Sequence, residues 1–437
     1  MYSFDWSKIF PRRPATEPAP AGSPEGRSRP EGGPPPLKRG WPGVSRTVWA
    51  LGFTSLFTDI SSEMVASILP VYLVLYLGIS PLAFGVVDGL YRGIAAVVRV
   101  AGGVLADRWQ RHKTVAILGY GLSAACRLLI FMAGNAWGNI SAIVTLDRMG
   151  KGLRTAPRDA LISKRSPMAT LATAFGVHRA LDAVGALLGP VFAFVLLTLM
   201  PHAFNVVFVA SFGVAILGLG IITLFVPAVE PDDQPVPVTT VSLKTALQLL
   251  GEAKFRALVL AAIVLGLASI SDGFIFLILQ RRLTMGITAF PLLYVGASLI
   301  TAMFAVPCGR LADRLGRRGV LLGGYGLLAL VYAVLLLPGG GYGQMSAVLV
   351  LLGGYYAATD GVLTAMAAAV LPQPHAGSGL AVIATAADLA RLAASVVFGL
   401  VWSLAGSTTA TTVFLLALAA AMVVAAGFLI RPKAYAT

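Results

Sequence analysis

Residues 146–163 have the sequence LDRMGKGLRTAPRDALIS and continue the apolar run Trp137–Thr145. The run predicts a membrane-spanning helix, of which 146–163 would form the inner half. That half carries these charged side chains: Asp147, Arg148, Lys151, Arg154, Arg158 and Asp159. A lone ionised side chain near the bilayer centre costs roughly 2.5–3.5 kcal/mol on insertion scales, so such charges must face protein or a water-filled cavity. They predict either an ion-pair network that locks helices together or a coupling or substrate site. A coupling or substrate site is favoured, because a single ion pair would be enough to lock the helices together.

The composition is that of a polytopic membrane protein. The 437 residues are 57 % hydrophobic and 12 % charged, about half the charge of a soluble domain. The net charge of +14 does not indicate nucleic acid, because the basic residues cluster in alternate loops between apolar segments. Cys126 and Cys308 fall inside apolar segments, so a disulfide framework is not expected. No cofactor and no resident metal are expected either.

Twelve apolar segments follow one another, each able to cross roughly 30 Å of hydrocarbon. They span 47–77, 82–106, 114–133, 137–161, 170–199, 203–226, 255–283, 288–311, 319–338, 343–371, 376–405 and 408–430. The sequence therefore predicts an all-α membrane protein of twelve transmembrane helices.

The regions outside these segments are polar. Residues 1–46 are rich in Pro, Gly, Glu and Arg and predict a disordered tail. The polar stretch 227–254 divides the segments into an N-terminal bundle, 47–226, and a C-terminal bundle, 255–430. A short tail, 431–437, ends the chain.

Lys and Arg fix the expected orientation. Basic residues occur in the N-terminal tail, in 108–113, 164–165 and 314–318, and in the C-terminal tail, whereas the alternate loops are nearly uncharged. The positive-inside rule then places both termini in the cytoplasm, with the protein in the cytoplasmic membrane. Arg281 and Arg282 are the exception, on the outer side.

The two halves repeat one another. GVLADRWQR at 103–111 corresponds to GRLADRLGR at 309–317, and Asp182 corresponds to Asp388 at the same offset of 206 residues. GLRTA at 152–156 roughly matches GVLTA at 361–365. Repeats of six helices with a site between them are a transporter architecture. We therefore expect two pseudo-symmetric six-helix bundles.

These residues carry a resemblance to the major facilitator superfamily over almost all of 47–430. The family's signature loop between helices 2 and 3, and its echo between helices 8 and 9, match in the following residues: Gly103, Asp107, Arg108 and Arg111, then Gly309, Asp313, Arg314 and Arg317. The resemblance implies that these loops form a gate holding the outward-open state, and that the protein is a monomer. Trp109-Gln110 departs from the usual residues of the first copy.

Two further motifs resemble those of proton-coupled efflux members, and the stretches 58–64 and 150–162 resemble a little-characterised prokaryotic branch of the superfamily. Arg148 with Gly152 resembles the R-x-x-x-G motif on helix 4, although Lys151 stands where Gln is usual. The stretch GALLGP, with Gly185, Gly189 and Pro190, resembles the antiporter motif on helix 5. The same residues also fit small-residue helix packing with a proline kink. Together the motifs favour export driven by proton entry.

Charged residues inside the first half supply candidates for proton coupling. Asp59 and Glu63 are four apart and share a helix face, and two like charges there cannot easily both ionise. His178 and Asp182 also share a face. We expect Asp59, Glu63, Arg148 and Asp182 to couple protons. Asp88 and Arg92 predict an internal salt bridge, and Arg127 is expected to snorkel to the outer interface.

The second half has fewer internal charges. Asp388 and Arg391 are three apart and are expected to pair, whereas Asp272 and Asp360 have no partner nearby in sequence. In the family, helices 1, 4, 7 and 10 line the central cavity, and each carries an acid here. The candidates for the cavity or the substrate site are Asp147, Lys151, Arg154, His178, Asp272, Asp360, Asp388 and Arg391. The basic residues among them leave the net charge of the cavity open.

These observations predict a secondary transporter, and a proton-coupled exporter of a small molecule is favoured. The alternatives are an importer of an organic anion or siderophore-like compound, an exporter of a divalent metal cation, and a transporter-like receptor. An enzyme is not expected, because motifs such as G-x-S-x-G, H-E-x-x-H and a phosphate loop do not occur. The substrate itself cannot be identified from the sequence.

Overall fold

A computed structural model describes residues 44–109, 111–134, 136–167, 170–227, 248–283, 285–371 and 376–430. Nearly all of these residues are helical, and the described ranges contain no strand. The predicted disordered tail up to residue 43, most of the 227–254 linker and the C-terminal tail 431–437 lie outside them.

The N-terminal half consists of α1 to α6. They are α1 Arg46–Val71, α2 Pro81–Trp109, α3 His112–Met132, α4 Trp137–Lys164, α5 Leu171–Leu199 and α6 Phe204–Phe225. The first helix begins at Arg46 because the Ser45 hydroxyl accepts a hydrogen bond from the Val48 amide at 3.3 Å, which satisfies a free donor of the first turn. It continues into a π-helical turn, Tyr72–Tyr76.

The C-terminal half consists of α7 to α12. They are α7 Ala253–Leu267, α8 Asp272–Leu283, α9 Pro291–Leu315, α10 Arg317–Leu336, α11 Tyr342–Val370 and α12 Ala376–Ile430. The last helix has 55 residues and bends at Gly406, whose φ of 84° only glycine adopts readily. It therefore has two arms, which correspond to the predicted segments 376–405 and 408–430.

Ten stretches of the described chain are long and apolar enough to cross a membrane. The two halves of the predicted segment 255–283, α7 and α8, form one of these stretches, and both arms of α12 together form another. The charged α4 is not among them. The count of twelve crossings therefore stays a prediction.

Helix packing repeats between the halves, as the sequence repeat predicts. In the N-terminal half, α1 packs on α5 and α6, α2 and α3 pack on α4, and α3 packs on α6. In the C-terminal half, α7 packs on α12, α9 and α10 pack on α11, and α10 packs on α12. The two patterns coincide when the arms of α12 are matched with α5 and α6.

The halves meet through α2 against α12 and α5 against α9. The Leu82 amide donates to the Ser403 hydroxyl at 2.9 Å, and a β-carbon on Gly85 would lie 2.5 Å from the Ser395 carbonyl oxygen. The Phe84 and Phe274 rings meet edge to face, with centroids 4.8 Å apart. We call the end of the bundle where α1 begins the terminal end, and the other end, where α2 begins, the opposite end. These contacts lie at the opposite end.

Candidate functional site

A buried ion cluster lies at the centre of the N-terminal half. Arg127 Nη1 of α3 lies 2.8 Å from Asp147 Oδ1, and Arg148 Nε donates to Asp147 Oδ2 at 2.8 Å. Each of the three residues is 2 % exposed. The prediction that Arg127 snorkels to the interface is wrong, because its guanidinium turns inward to a carboxylate. We call these three residues the anchor cluster.

The anchor cluster joins four helices. Arg127 donates to Ser62 of α1 at 2.9 Å and to Ser61 at 3.4 Å, and the Arg148 guanidinium stacks on the Tyr91 ring of α2 at 3.8 Å. Asp147 thus faces protein rather than open cavity. A carboxylate between two guanidiniums satisfies its charge without water, and this geometry suits a lock between helices.

Asp59 and Glu63 lie on the inner face of α1 and are half-buried. Among the residues that the structure describes, neither carboxylate has a hydrogen bond or an ion pair. The charges that act on Glu63 are those of Lys151, Asp59, Arg148 and Arg127. We call Asp59 and Glu63 the central acid pair, because they lie near the middle of α1 and have no ion pair among the described residues.

Two glycines of α5 pack closely against the central acid pair. A β-carbon on Gly189 would lie 2.7 Å from the Glu63 β-carbon, and one on Gly185 would lie 3.2 Å from that of Asp59. Both glycines and Pro190 are buried. The predicted small-residue packing of GALLGP is therefore present, and its partner is the acid-bearing face of α1.

A second polar cluster lies nearer the terminal end. His178 Nδ1 lies 3.4 Å from Asp182 Oδ2, which confirms that the two share a face of α5. His178 Nε2 hydrogen-bonds the Ser55 hydroxyl at 2.9 Å, and Arg158 donates to the same hydroxyl at 3.2 Å. Arg158 also pairs with Asp159 at 3.0 Å. The cluster links α1, α4 and α5.

The remaining basic candidates of α4 differ in exposure. Arg154 is 3 % exposed, and its guanidinium lies over the Tyr120 ring at 4.6 Å. Lys151 is half-buried and has no hydrogen bond or ion pair from its ammonium to any described residue. Gly152 is needed for packing, since a β-carbon there would lie 2.8 Å from the Ala95 carbonyl oxygen of α2.

Charged and polar groups also join the two halves. Arg92 of α2 lies 3.8 Å from Asp88, as predicted, and 3.5 Å from Asp272 of α8. The Ser395 hydroxyl of α12 donates to Asp88 at 2.7 Å, and the Tyr356 hydroxyl donates to Asp272 at 2.6 Å. We call these five residues the inter-half cluster. Asp272, which lacks a partner nearby in sequence, thus has two in space.

A break between α7 and α8 positions Asp272. The Ile270 amide donates to the Tyr332 hydroxyl at 2.6 Å, and that hydroxyl donates to the Ala268 carbonyl at 3.3 Å. One side chain from α10 therefore replaces the helical hydrogen bonds lost at the break. The short polar run Ser269-Ile-Ser-Asp-Gly is the sequence signal that could have predicted the break.

Asp388 and Arg391 lie 3.7 Å apart, which confirms their predicted pairing. Asp360 of α11 is exposed, and its carboxylate makes no hydrogen bond or ion pair within the described ranges. It lines a cavity of about 500 Å³ that also contacts α5, α8 and α9. Within the described residues, no group of three His, Cys, Asp or Glu side chains is placed to hold a metal ion.

The predicted gating loops are only partly described. The side chains of Gly103, Asp107 and Arg108 lie outside the described part, and Arg111 is exposed. In the second copy, Arg317 lies 3.3 Å from Asp313, while Gly309 is half-buried and Arg314 is exposed. The Arg317 guanidinium also donates to the Ala365 carbonyl of α11 at 3.3 Å.

Comparisons with known proteins agree with this architecture. The family model described as Major Facilitator Superfamily matches residues 51–395. An uncharacterized MFS-type transporter of Methanocaldococcus jannaschii is 32 % identical over 301 residues, which cover 67 % of this chain and 72 % of the relative.

Solved structures share the fold. The nucleoside transporter NupG has a TM-score of 0.75 at 14 % identity, covering 90 % of this chain and 100 % of that one. A POT family transporter in complex with 5-aminolevulinic acid has a TM-score of 0.73 at 14 % identity, covering 90 % and 97 %. At these identities the likeness concerns the fold alone.

Proposed function

The chain belongs to the major facilitator superfamily of secondary transporters, and we propose that it is a proton-coupled exporter of a small organic molecule. In this proposal the central acid pair carries the proton, and Arg148 and Lys151 adjust its charge. The protein is a multi-pass membrane protein and not an enzyme.

The observation that carries the proposal is the contrast between a paired acid of the N-terminal half, Asp147, and the central acid pair of the same half. Asp147 is fully paired between Arg127 and Arg148, whereas Asp59 and Glu63 make no hydrogen bond or ion pair to any described residue. A structural acid in a membrane protein is expected to be paired, since an unpaired charge there is costly. An acid pair left unpaired beside a lysine and an arginine is suited to binding and releasing a proton.

Coupling requires that protonation favour one conformation over another. Lys151 and Arg148 lie on α4, while the acid pair lies on α1, and both helices belong to the same half. When the acids are ionised, these cations attract them and hold the α1 face. When a proton neutralises one acid, the attraction weakens. A change in helix position or in substrate affinity can then follow proton binding.

The proposed direction, export, rests on the resemblance of Arg148, Gly152 and the GALLGP stretch to motifs of proton-coupled efflux members. The conformation of the two halves is the one in which an exporter would load its substrate. The positive-inside rule assigns the terminal end to the cytoplasm. The halves are in close contact at the opposite end, through Leu82 with Ser403 and Phe84 with Phe274. A substrate that enters from the cytoplasm would therefore reach a site that is closed to the outside. In the proposed cycle the substrate then leaves the cell in exchange for protons that enter. We also propose that the protein acts as a monomer in the cytoplasmic membrane.

Proton movement in proteoliposomes tests the proposal. The protein is reconstituted with a pH-sensitive dye inside, a pH gradient is imposed, and small organic cations, organic anions and divalent metals are added in turn. An organic compound that collapses the gradient with wild-type protein, but not with Asp59→Asn or Glu63→Gln, supports the proposal. Substrate movement without proton flux would contradict it.

Neither alternative substrate class is favoured by the site. A divalent metal would need a cluster of His, Cys or carboxylate ligands, and the described residues contain no such group of three. An organic anion would need an available cation. Arg92 and Arg391 each lie within 4.0 Å of an acid, and Lys151, which has no ion pair among the described residues, lies beside Asp59 and Glu63, whose charges would repel an anion. The same dye assay separates these classes, because each is added alone.

A further inference from the structure

The cavity beside Asp360 lies between the two halves. Its volume of about 500 Å³ falls within the range of sites for small organic ligands. Alanine, valine and leucine side chains of α5, from 183 to 187, form one wall, and α8, α9 and α11 of the other half form the rest. We call it the Asp360 cavity. A ligand bound here would contact both halves at once.

The charged groups of the Asp360 cavity are acidic. Its lining includes Asp272 and Asp360, whereas no Lys, Arg or His is among the described residues that line it. Asp272 is already engaged, because Tyr356 donates to one of its oxygens and Arg92 pairs with the other. Asp360 has no such partner in the described part of the chain. One negative charge is therefore left for a ligand.

Aromatic rings surround the two acids. Phe276, Tyr294 and Tyr356 line the same cavity, and the Phe276 and Tyr294 rings meet edge to face with centroids 4.7 Å apart. The faces of aromatic rings attract cations, and apolar walls favour ligands with a large hydrocarbon surface. An anion would meet two carboxylates here, whereas the nearby cations of the described chain, Arg92 and Arg391, do not line the cavity and are paired with Asp272 and Asp388.

Two further cavities lie next to the Asp360 cavity toward the terminal end. A space of about 310 Å³ shares Thr301, Tyr356 and Asp360 with it, and a space of about 750 Å³ shares Asp313 and Arg317 with the 310 Å³ space. Asp360 thus lines both the Asp360 cavity and its neighbour on the side of the terminal end.

We propose that the Asp360 cavity is a binding site for lipophilic organic cations, with the cationic centre beside the Asp360 carboxylate and the hydrocarbon groups against Tyr294 and the α5 wall. This inference rests on the proposed function, because it names the class of substrate that the transporter would move. The cation would supply the partner that Asp360 lacks among the described residues, and the aromatic walls would favour ligands with bulky hydrocarbon groups.

Equilibrium binding to the purified full-length protein in lipid nanodiscs tests this. The probe is radiolabelled tetraphenylphosphonium, corrected for binding to empty nanodiscs. The matched anion, radiolabelled tetraphenylborate of nearly the same size and shape, is measured in a separate binding reaction with the same correction. We expect tetraphenylphosphonium to bind and tetraphenylborate not to bind. Asp360→Asn should weaken binding about tenfold or more, and Asp360→Glu should retain it.

The control for loss of one negative charge is Glu252→Gln, because Glu252 is exposed and precedes α7 outside the cavity. It should bind tetraphenylphosphonium like wild type. Asp360→Asn is expected to fold, since the Asp360 carboxylate has no hydrogen bond to lose among the described residues. Size exclusion and thermal unfolding of each variant verify this. Equal binding of tetraphenylphosphonium by Asp360→Asn and wild type, or equal binding of tetraphenylborate and tetraphenylphosphonium by wild type, would overturn the inference.

The binding assay uses no proton gradient, so its outcome is independent of proton coupling. Binding that depends on Asp360, together with substrate movement that carries no protons, would overturn the proposed function and leave this inference standing. Proton-coupled movement of another compound, with no binding of tetraphenylphosphonium, would support the proposed function and overturn this inference.

Discussion

Gly189 of α5 lies directly against Glu63 of α1. A β-carbon on Gly189 would come within 2.7 Å of the Glu63 β-carbon and within 2.7 Å of the Ile60 carbonyl oxygen. Gly185, one turn earlier, lies in the same way against Asp59. The two glycines therefore set the distance between α1 and α5 at the positions where α1 carries its unpaired acids.

Gly189→Ala should impair both stability and transport. The added methyl group meets backbone atoms of Ile60 and Met64, which cannot rotate away, so α1 and α5 must separate at a cost of about 1–3 kcal/mol. Thermal unfolding in detergent measures the loss. Gly176→Ala is the matched control on the same helix, because no atom lies within 4 Å of its added β-carbon. Equal melting temperatures for both variants would contradict this packing.

Asp147→Asn should destabilise the protein strongly. It leaves the buried guanidiniums of Arg127 and Arg148 without their carboxylate, and breaking a buried pair in this way costs roughly 3–5 kcal/mol. Asp159→Asn is the comparison on the same helix, since its carboxylate is 44 % exposed and its pairing with Arg158 contributes about 0–1 kcal/mol. The midpoint of thermal unfolding measures both. If Asp147→Asn melts no earlier than Asp159→Asn, the anchor cluster is not a lock.

Arg92→Gln should loosen the contact between the halves at the opposite end. Arg92 pairs with one acid of each half. Its loss should therefore shift the equilibrium between the closed and open states about fivefold away from the closed state, which corresponds to roughly 1 kcal/mol. Disulfide cross-linking measures this opening. Leu82 and Ser403 are replaced by cysteine in a background in which Cys126 and Cys308 are alanine, and Arg92→Gln should lower the yield of the cross-link between them.

Arg282→Gln serves as the control for that experiment. Arg282 donates to the Leu337 carbonyl at 2.6 Å, and both residues belong to the C-terminal half. Its loss should leave the cross-linking yield unchanged. An equal yield from Arg92→Gln and the parent would show that the inter-half cluster does not hold the closed end.

Tyr332→Phe should destabilise the protein at the break between α7 and α8. Without the hydroxyl, the buried Ile270 amide has no acceptor, and an unsatisfied buried donor costs about 1–3 kcal/mol. Thermal unfolding again gives the magnitude, and Tyr342→Phe is the matched control, because Tyr342 is 78 % exposed at the start of α11. A Tyr332→Phe variant as stable as Tyr342→Phe would mean that water replaces the hydroxyl.

The sequence predicts contacts that a single helix brings together. Residues three or four apart lie on one face whatever the rest of the fold does, and so the pairs Asp88 with Arg92 and Asp388 with Arg391 are correct. The repeat around Asp107 and Asp313 likewise predicts the family and two equivalent halves, because it depends only on order along the chain.

Contacts between helices could not be predicted in this way. Arg127 appears near a helix end in sequence, but the partner that turns it inward, Asp147, lies on the next helix. Asp272 appears unpaired because Tyr356 is 84 residues away along the chain. Which face of a membrane helix meets which neighbour depends on packing, and the apolar composition of these helices leaves that choice open.

The most direct test of the central acid pair compares net transport with exchange. The compound that collapses the pH gradient in the dye assay is loaded into proteoliposomes containing wild type, Glu63→Gln or Glu252→Gln. Counterflow of labelled against unlabelled compound is measured beside accumulation driven by the pH gradient. We predict that Glu63→Gln keeps counterflow and loses gradient-driven accumulation, while Glu252→Gln keeps both. Gradient-driven accumulation by Glu63→Gln at the wild-type level would contradict the assignment of Glu63 as a proton carrier.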